Sequence, residues 1–335
     1  MINLAFVGDI AVGAKLPKIP KDVISKLKSA IAIGNLEGPI TPSTDNVRKS
    51  IIIKQNLNIG KFLKERGISR VLLANNHSLD YGLQGFTDTL ASLQKDGLEY
   101  IGGGRNLTES TTPFVFSESG SKVAVYNIST TLPLESGASI NTPGIAPLKV
   151  RCTIYVDPTG EQEQPGTPPI SKCFVDHTDI TRIKKQLEVD KKNNTISIVT
   201  FHWGMPYQYN IMDYQREISE SLFKSGCSLI IGHHPHVVQE AERFGSKWVF
   251  YSIGNFIWLP NRKYGVPKEW LRWPPQYGTW GPSNESIIVS VEIIRNKIKK
   301  IGITPLVLDG GVPSIANNAQ KKAIQEKLKV PSLNL

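Results

Sequence analysis

Five short apolar runs in this sequence each end in residues that can bind a metal ion or transfer a proton. An apolar run of four to eight residues is typical of a buried strand. Strands that alternate with helical segments predict an α/β protein. Open α/β sheets place their sites at the carboxyl ends of strands, so we expect these side chains to meet in one site. In chain order, the runs lead to Asp9, to Asn35 and Glu37, to Asn76 and His77, to His202, and to His233, His234 and His236.

The last of these runs carries the strongest signal. Three of the six histidines in the chain lie within the four residues that follow Leu229–Gly232. Imidazole is the commonest metal ligand in its neutral form. His234 and His236 are two residues apart and share a face in an extended segment, so they can bind neighbouring ions. The alternative is a polar surface loop at the end of a strand.

The chain length permits one large domain or two ordinary ones, because it has 335 residues. Candidate ligands recur from residue 9 to residue 236 with no linker between two cores, so we predict a single domain over residues 1–308. A Pro/Gly-rich insertion near residues 131–176, with one hairpin, is either a cover over a site or partner surface or a mobile loop. Residues 309–335 are expected to form a polar C-terminal tail.

The formal net charge of +10 favours an anionic partner, such as a phosphoester or an anionic polymer. We find no specific nucleic-acid motif, no apolar stretch of the ~20 residues that a membrane span needs, and no signal peptide. We therefore expect a cytoplasmic protein. The three cysteines form no metal or disulfide framework, which fits a reducing compartment, although Cys152 and Cys173 could pair in a secreted chain.

The candidate ligands combine oxygen and nitrogen donors. Carboxylates and imidazoles suit Mn, Fe or Zn, and so many histidines make Mg less favoured. Two carboxylates, one amide and at least three imidazoles exceed one tetrahedral zinc site. They suit two divalent ions, with Glu37 as the bridge. Two such ions hold a phosphoryl group and activate a water for attack on phosphorus, so the chemistry predicted is that of a metal-dependent phosphoester hydrolase.

Six ordered motifs cover roughly residues 2–258. They are Gly8-Asp9, Asn35-Leu36-Glu37-Gly38, Asn75-Asn76-His77 with Asp80-Tyr81-Gly82, His202-Trp203-Gly204, Gly232-His233-His234-Pro235-His236-Val237 and Tyr251-Ser252-Ile253-Gly254-Asn255-Phe256. Together they resemble the CapA family of capsule or poly-γ-glutamate synthesis proteins, within the calcineurin-like metallophosphoesterase superfamily. This resemblance implies a four-layer α/β/β/α sandwich with a dinuclear metal site.

The resemblance also implies roles for single residues. His77 is then the acid near the phosphoryl oxygen, and Asp80 either orients it or caps the helix that begins at Leu83. Ala11 stands where the superfamily has a histidine, so the first metal has lost a ligand or is bound more weakly. The implied metal ligands are Asp9, Glu37, Asn76, His202, His234 and His236, and the residues expected to orient them are Asn35, Asn75, His233 and Asn255.

Two other functions stay open at this point. One is a non-catalytic or weakly catalytic role in the synthesis of an anionic polymer, favoured by Ala11. The other is a metal-dependent amidase or peptidase acting on γ-glutamyl bonds, although the chain has no H-E-x-x-H motif. The aromatic residues of segment 262–282 form either a rim over the site or ordinary packing; they are Trp270, Trp273, Tyr277 and Trp280.

Overall fold

The structure is a computed structural model that describes residues 1–13, 15–166, 168–263 and 283–330. The four aromatic residues of the proposed rim lie outside these ranges. The strands are β1 (Ile2–Val12), β2 (Ile31–Leu36), β3 (Ile52–Lys54), β4 (Ile68–Leu72), β5 (Glu99–Ile101), β6 (Gly103–Gly104), β7 (Phe114–Glu118), β8 (Ser121–Ser129), β9 (Gly144–Ile145), β10 (Val150–Tyr155), β11 (Ile170–Val175), β12 (Ile196–His202), β13 (Cys227–His233), β14 (Ala241–Phe244), β15 (Lys247–Phe250), β16 (Asn255–Leu259), β17 (Asn261–Lys263), β18 (Glu285–Ile294), β19 (Lys297–Asp309) and β20 (Val312–Ile315). The helices are α1 (Lys21–Lys28), α2 (Ile59–Glu65), α3 (Gly82–Asp96), α4 (Leu107–Thr111), α5 (Pro158–Glu163), α6 (His177–Lys192), α7 (Asp213–Lys224) and α8 (Asn318–Leu328).

Two large sheets contain most of these strands. The first has the order β20-β19-β18-β1-β2-β4-β5, and β16 also pairs with β1. Strand β1 changes partner along its length, because Ile2–Phe6 pair antiparallel with β18 and Asp9–Val12 pair parallel with β16. The second sheet has the order β14-β15-β13-β12-β8-β7, with a parallel centre and an antiparallel strand at each edge. In both sheets the parallel strands end at the same edge.

Alternation along the central strands creates the layers. Phe6 and Ile198 belong to one buried cluster that draws residues from both sheets, so they pack between the sheets. Their neighbours Val7 and Val199 belong to two other clusters, each shared by one sheet and its helices, because successive side chains point to opposite faces of a strand. The result is the predicted four-layer α/β/β/α sandwich. The buried helical side chains on the outer faces are Val23, Leu27, Leu63 and Leu93 on the first sheet and Leu187, Ile218 and Leu222 on the second.

The predicted insertion holds a hairpin of β10 and β11, which pair antiparallel and enclose α5. All but the first residue of β10 are exposed, so the hairpin extends from the sandwich. Cys152 and Cys173 face each other in this ladder and form a disulfide. The sequence left open whether these two cysteines are reduced or paired, and in the structure they are paired.

The stretch after residue 308 differs from the polar tail that its sequence predicts. Strand β20 pairs antiparallel with β19, and helix α8 follows it. Ile324 and Leu328 lie four residues apart on α8 and are fully buried in the cluster between the sheets. Two apolar residues in a polar segment give only a weak periodic signal, which is why the pattern did not predict this helix.

Within the described residues, every helix is too short or too polar to cross a bilayer.

Candidate metal centre

The predicted site residues come together where the parallel strands of both sheets end. Asp9 lies in β1 and Glu37 follows β2, while His202 is the last residue of β12. The two sheets meet here through side chains: Asn35 Nδ2 lies 3.4 Å from His202 Nδ1, and His202 Nε2 lies 2.7 Å from Asn76 Oδ1. The position agrees with the rule that α/β sheets bind ligands beyond the carboxyl ends of their strands.

Two glycines allow the backbone to approach closely just before candidate ligands. A Cβ atom on Gly8 would lie 2.0 Å from the carbonyl oxygen of Gly254, which accepts a hydrogen bond from the amide of Asp9. A Cβ atom on Gly232 would lie 1.9 Å from the carbonyl oxygen of Tyr251. Any larger residue at either position would push a neighbouring strand away and displace the site, which explains why both motifs begin with glycine.

The histidine loop has an unusual backbone. His234 and His236 have φ angles of +96° and +56°, a region that L-residues with side chains rarely adopt. The conformation is held by hydrogen bonds, since the His234 amide donates to Asp9 Oδ2 over 3.2 Å and the Pro235 carbonyl accepts from the Tyr207 amide over 2.7 Å. Strained residues of this kind persist where the surrounding structure fixes them, and they cluster at functional sites.

Asp9 is fully buried and ionised. Its Oδ1 accepts from Asn35 Nδ2 over 2.8 Å, and its carboxylate lies 3.3 Å from His233 Nδ1 and 3.2 Å from His236 Nδ1. Burial alone would raise the pKa of Asp9, but its interactions with His233 and His236 outweigh burial and hold the pKa well below its ordinary value. The carboxylate is therefore charged and ready to bind a cation.

Glu37 is fully buried, and neither of its carboxylate oxygens forms a hydrogen bond with a described residue. His77 Nε2 and His236 Nε2 both lie 3.7 Å from Oε1, which is too long for a hydrogen bond. Burial raises the pKa of Glu37 to about 8, opposed by His236 and assisted by Asp9. A buried carboxyl group without partners is costly, so it requires a proton or a bound cation.

A divalent cation fits this first group. Asp9, Glu37 and His236 each provide a ligand atom, and these atoms lie within 4.8 Å of one another. His236 Nδ1 lies 2.9 Å from Asn255 Oδ1, an acceptor that keeps the proton on Nδ1 and leaves Nε2 as the free donor atom for a metal. Two carboxylates and an imidazole form a set that suits Mn, Fe or Zn.

A second group lies beside the first and consists of Asn76, His202 and His234. His202 Nε2 and Asn76 Oδ1 are 2.7 Å apart. Two ligand atoms of one ion lie about 3 Å apart when each is near 2.1 Å from the metal, so this separation is close to that of a ligand pair. The His202 and His234 rings have centroids 4.7 Å apart, and His234 Nδ1 is buried without a hydrogen bond in the described residues. Burial lowers the pKa of His234 to about 3, so this imidazole is neutral.

His77 and Asp80 form a hydrogen-bonded pair at the edge of the first group. His77 Nδ1 lies 2.6 Å from Asp80 Oδ2, and a carboxylate can only accept, so Nδ1 carries the proton and Nε2 faces Glu37. Burial lowers the pKa of His77 to about 4 despite Asp80. Asp80 was predicted either to orient His77 or to cap α3. It contacts His77, whereas the N-cap residue of α3 is Tyr81.

The four residues predicted to orient the ligands all lie in the site. Asn35 contacts Asp9, and Asn75 Nδ2 donates to Asn35 Oδ1 over 3.2 Å and to the Leu36 carbonyl over 2.8 Å. Asn255 contacts His236, as described above. His233 is buried next to Asp9, and neither of its ring nitrogens makes a well-aligned hydrogen bond in the described residues.

Two further residues in the site were not found from the sequence. Lys49 Nζ lies 2.7 Å from Asp80 Oδ1 and 3.2 Å from His77 Nδ1. The side-chain amide of Gln55 donates to the Glu37 carbonyl over 2.7 Å and accepts from the Val12 amide over 2.9 Å. Lys49 precedes β3 and Gln55 directly follows it, but the apolar run here, residues 51–53, is shorter than the four to eight residues of the strand pattern, so the pattern did not connect them to the site.

Ala11 lies in an apolar environment. It is fully buried in a small cluster with Ile53, Trp258 and Leu308. The ring of Trp258 also packs against His236, with centroids 4.2 Å apart. Apolar side chains thus surround the position at which the superfamily has a histidine.

Comparison with known proteins agrees with the motifs. The profile of the family described as "Bacterial capsule synthesis protein PGA_cap" matches residues 3–258. The chain is 25% identical over 346 residues to the PGA biosynthesis protein CapA of Bacillus subtilis (strain 168), covering 98% of this chain and 78% of that protein. It is 24% identical over 335 residues to the capsule biosynthesis protein CapA of Bacillus anthracis, covering 96% of this chain and 71% of that protein.

Among solved structures, the chain is similar to the sulfate thiohydrolase SoxB of Thermus thermophilus in complex with glycerol, at 11% identity and a TM-score of 0.47, covering 91% of this chain and 45% of that one. The family match spans all six motifs and every candidate ligand. The resemblance to CapA proteins predicted from those motifs is thereby confirmed, and the chain belongs to the PGA_cap family of bacterial capsule synthesis proteins.

Proposed function

We propose that the protein is a metal-dependent phosphoester hydrolase of the CapA type that uses two divalent cations. The observation that carries this proposal is the fully buried carboxylate of Glu37, which has no hydrogen-bond partner in the described residues and lies between His77 and His236. Burying a carboxyl group without a hydrogen-bond partner costs free energy when only the protein is present. Two cations that share Glu37 as a ligand would offset this cost.

The ligands divide between the two groups already described. Asp9 and His236 would hold the first cation, Asn76, His202 and His234 would hold the second, and Glu37 would be a ligand available to both. When bound, the two cations would supply Lewis-acid activation of a water and neutralise charge on the phosphoryl oxygens. The formal charge of +10 also attracts an anionic substrate to the surface of the protein.

His77 is the proton-transfer residue of the proposed reaction. Asp80 holds the proton on Nδ1, so Nε2 is the atom that can carry a second proton towards the site. In hydrolysis His77 Nε2 takes a proton from the attacking water, whose oxygen forms a bond to phosphorus, the bond from phosphorus to the ester oxygen breaks, and His77 passes that proton to the leaving oxygen. The other water proton stays with the phosphate product or passes to solvent, and His77 returns to its neutral state.

The test is an assay of phosphomonoesters and phosphodiesters with Mn²⁺, combined with elemental analysis of metal content. We expect Asp9→Ala and His234→Ala to lose both metal and turnover. His77→Ala should keep the metal and lose turnover by a factor of about 10²–10⁴, the usual contribution of a general acid. Normal turnover in all three variants would contradict the proposal.

A second candidate is a non-catalytic role in the synthesis of an anionic polymer. It is favoured by Ala11, because an alanine in apolar surroundings cannot give the first cation the ligand that a histidine would give. The names of the CapA relatives also favour it. Binding of an anionic polymer such as poly-γ-glutamate, measured with and without a chelator, separates the two. Polymer binding that is unaffected by chelation, together with no hydrolysis, supports the second candidate.

A further inference from the structure

A cavity of about 620 Å³ opens beside the proposed metal centre. It lies between two parts of the chain: residues 47–49 and 76–83 on one side, and residues 133–143 on the other. This volume falls in the range of small-molecule sites in proteins, which is about 300–1,000 Å³.

Six of the fifteen described residues that line the cavity are aliphatic. Three of these aliphatic residues are exposed to solvent, although aliphatic residues are mostly buried in proteins: Val47 is 38% exposed, Leu83 51% and Leu134 94%. Of the described residues that line the cavity, none is aromatic. The aliphatic lining consists of Val47, Leu79, Leu83, Pro133, Leu134 and Pro143.

The polar end of the cavity is continuous with the proposed metal centre. Asn76 and Asp80 line the cavity and also contact His202 and His77. Arg48 and Lys49 bring two positive charges to this end, and Glu135 brings one negative charge on the opposite wall. A ligand with an anionic head at the metal centre would therefore place its remaining part against aliphatic side chains.

We propose that this cavity binds the alcohol portion of the substrate and that the alcohol is a long alkyl chain. The inference rests on the proposed phosphoester hydrolysis for its head group. The aliphatic side chains suit an alkyl chain better than an aromatic group, because none of the described residues of the lining offers an aromatic ring for stacking. The substrate class is thus a phosphate ester of an apolar alcohol.

The experiment measures binding of alkylphosphonates, which are not hydrolysed, by calorimetry below their micelle concentration. Methyl-, octyl- and phenylphosphonate are titrated into the full chain with Zn²⁺ present and again after chelation. Each fully buried methylene strengthens binding by a factor of roughly three to four, so we expect octylphosphonate to bind at least about tenfold more tightly than methylphosphonate. Phenylphosphonate should bind more weakly than octylphosphonate.

The variant for this test is Leu83→Gln combined with Leu134→Gln. Both side chains are exposed, so the fold does not depend on them. The octyl-to-methyl ratio should fall to about threefold or less, since most of the aliphatic contact is lost. The matched control is Leu57→Gln, which is 53% exposed and does not line the cavity, and it should keep the wild-type ratio.

The outcomes separate this inference from the proposed hydrolysis. An octyl-to-methyl ratio near one in the wild type, or an unchanged ratio in the double variant, overturns the alkyl site even if phosphoesters are hydrolysed. Tighter binding of phenylphosphonate than of octylphosphonate also overturns it. A large ratio that falls in the double variant supports the alkyl site, including in a chain that shows no turnover.

Discussion

The carboxyl groups of Asp9 and Glu37 are both fully buried within one group of ligand atoms. Two carboxylates this close cannot both stay ionised in a low-dielectric site without a cation. Asp9 keeps its charge because histidines and Asn35 contact it, whereas Glu37 has no such contacts and its pKa rises to about 8. The pair is thus poised to exchange a proton for a metal ion.

Metal binding should therefore release protons at pH 7. In the metal-free chain, Glu37 has a pKa of about 8 and holds a proton at pH 7, but a metal ligand must be deprotonated. We expect release of close to one proton or more per chain when the site is filled with Mn²⁺, and an apparent affinity that increases up to tenfold per pH unit from about pH 6 to 8. Calorimetry in buffers of different ionisation enthalpy measures the proton count.

His234 is expected to contribute nothing to this proton count. His234 has a pKa of about 3 and is already neutral at pH 7, so it releases no proton. Glu37→Gln cannot release one from this position and should bind the metal more weakly. Wild-type binding that is independent of pH between 6 and 8 would contradict the expected protonation of Glu37.

At the scale of elements, the segment from Val47 to Ile53 wraps around Asp80. The Val47 amide donates to the Asp80 carbonyl over 3.0 Å, and the Ile53 amide donates to Asp80 Oδ2 over 2.7 Å. Lys49 adds an ion pair to Oδ1 and a hydrogen bond to the Asn76 carbonyl. One segment therefore fixes both the orientation of His77 and the backbone of Asn76.

Lys49→Met should disturb this turn. Hydrogen bonds to charged groups contribute about 1.5–3 kcal/mol when buried, so we expect a smaller loss at the part-exposed Lys49, about 1 kcal/mol, measured by denaturant unfolding. We expect turnover to fall about tenfold or more, because a small misplacement of a catalytic group is costly. Lys49→Arg should recover part of the rate.

The matched control for Lys49 is Lys54→Met. The Lys54 ammonium bonds to the Ser43 carbonyl and lies 4.8 Å from the centre of the Tyr81 ring, without contact to Asp80 in the described residues. Turnover in this variant should stay within about twofold of the wild type. Equal losses in both variants would argue against a specific role for Lys49.

Most residues of the hairpin of β10 and β11 are exposed. The Cys152–Cys173 disulfide joins its strands, and its loop spans 21 residues of sequence. Reduction, or Cys152→Ser with Cys173→Ser, should increase protease cleavage within residues 152–173 about tenfold or more, because the link restricts local opening. Metal content should not change. An unchanged cleavage rate would contradict a supporting role for the disulfide.

At the scale of the whole molecule, the side chains that form the core are different from the side chains proposed to bind metal. The buried cluster between the sheets and the clusters under the helices consist of aliphatic and aromatic side chains. The proposed ligands lie at one edge of the sheets, in the carboxyl-terminal halves of strands or in the loops that follow them. The sandwich can therefore form without metal, and metal binding adds stability by mass action.

Chelation should therefore lower the thermal stability without unfolding the chain. At a free metal concentration 100 times the dissociation constant, binding stabilises the native state by about 2.7 kcal/mol, and chelation removes this amount. We expect Tm to fall by a few degrees while the far-UV circular dichroism spectrum at 25 °C is retained. Complete unfolding on chelation would contradict the separation of core and site.

Much of the site could be predicted from the sequence, because its ligands follow apolar strands directly. Asp9, Glu37 and His202 each lie at or next to the end of a buried strand, so a local pattern identifies them. Lys49 and Gln55 could not be predicted, because they reach the site from a segment whose own pattern is unremarkable. The single domain over residues 1–308 and the metal ligands stay predictions.

By itself, the sequence determined the α/β class and the strand ends at which the polar residues gather, and the resemblance of its motifs to the CapA family implied the four-layer sandwich. Hydrophobic periodicity and strand ends are local properties, and both can be read along the chain. Only the tertiary structure decided which donors meet, that Asp80 turns to His77, that Cys152 pairs with Cys173, and that α8 packs on the core. These depend on contacts between residues far apart in sequence, and no local pattern encodes them.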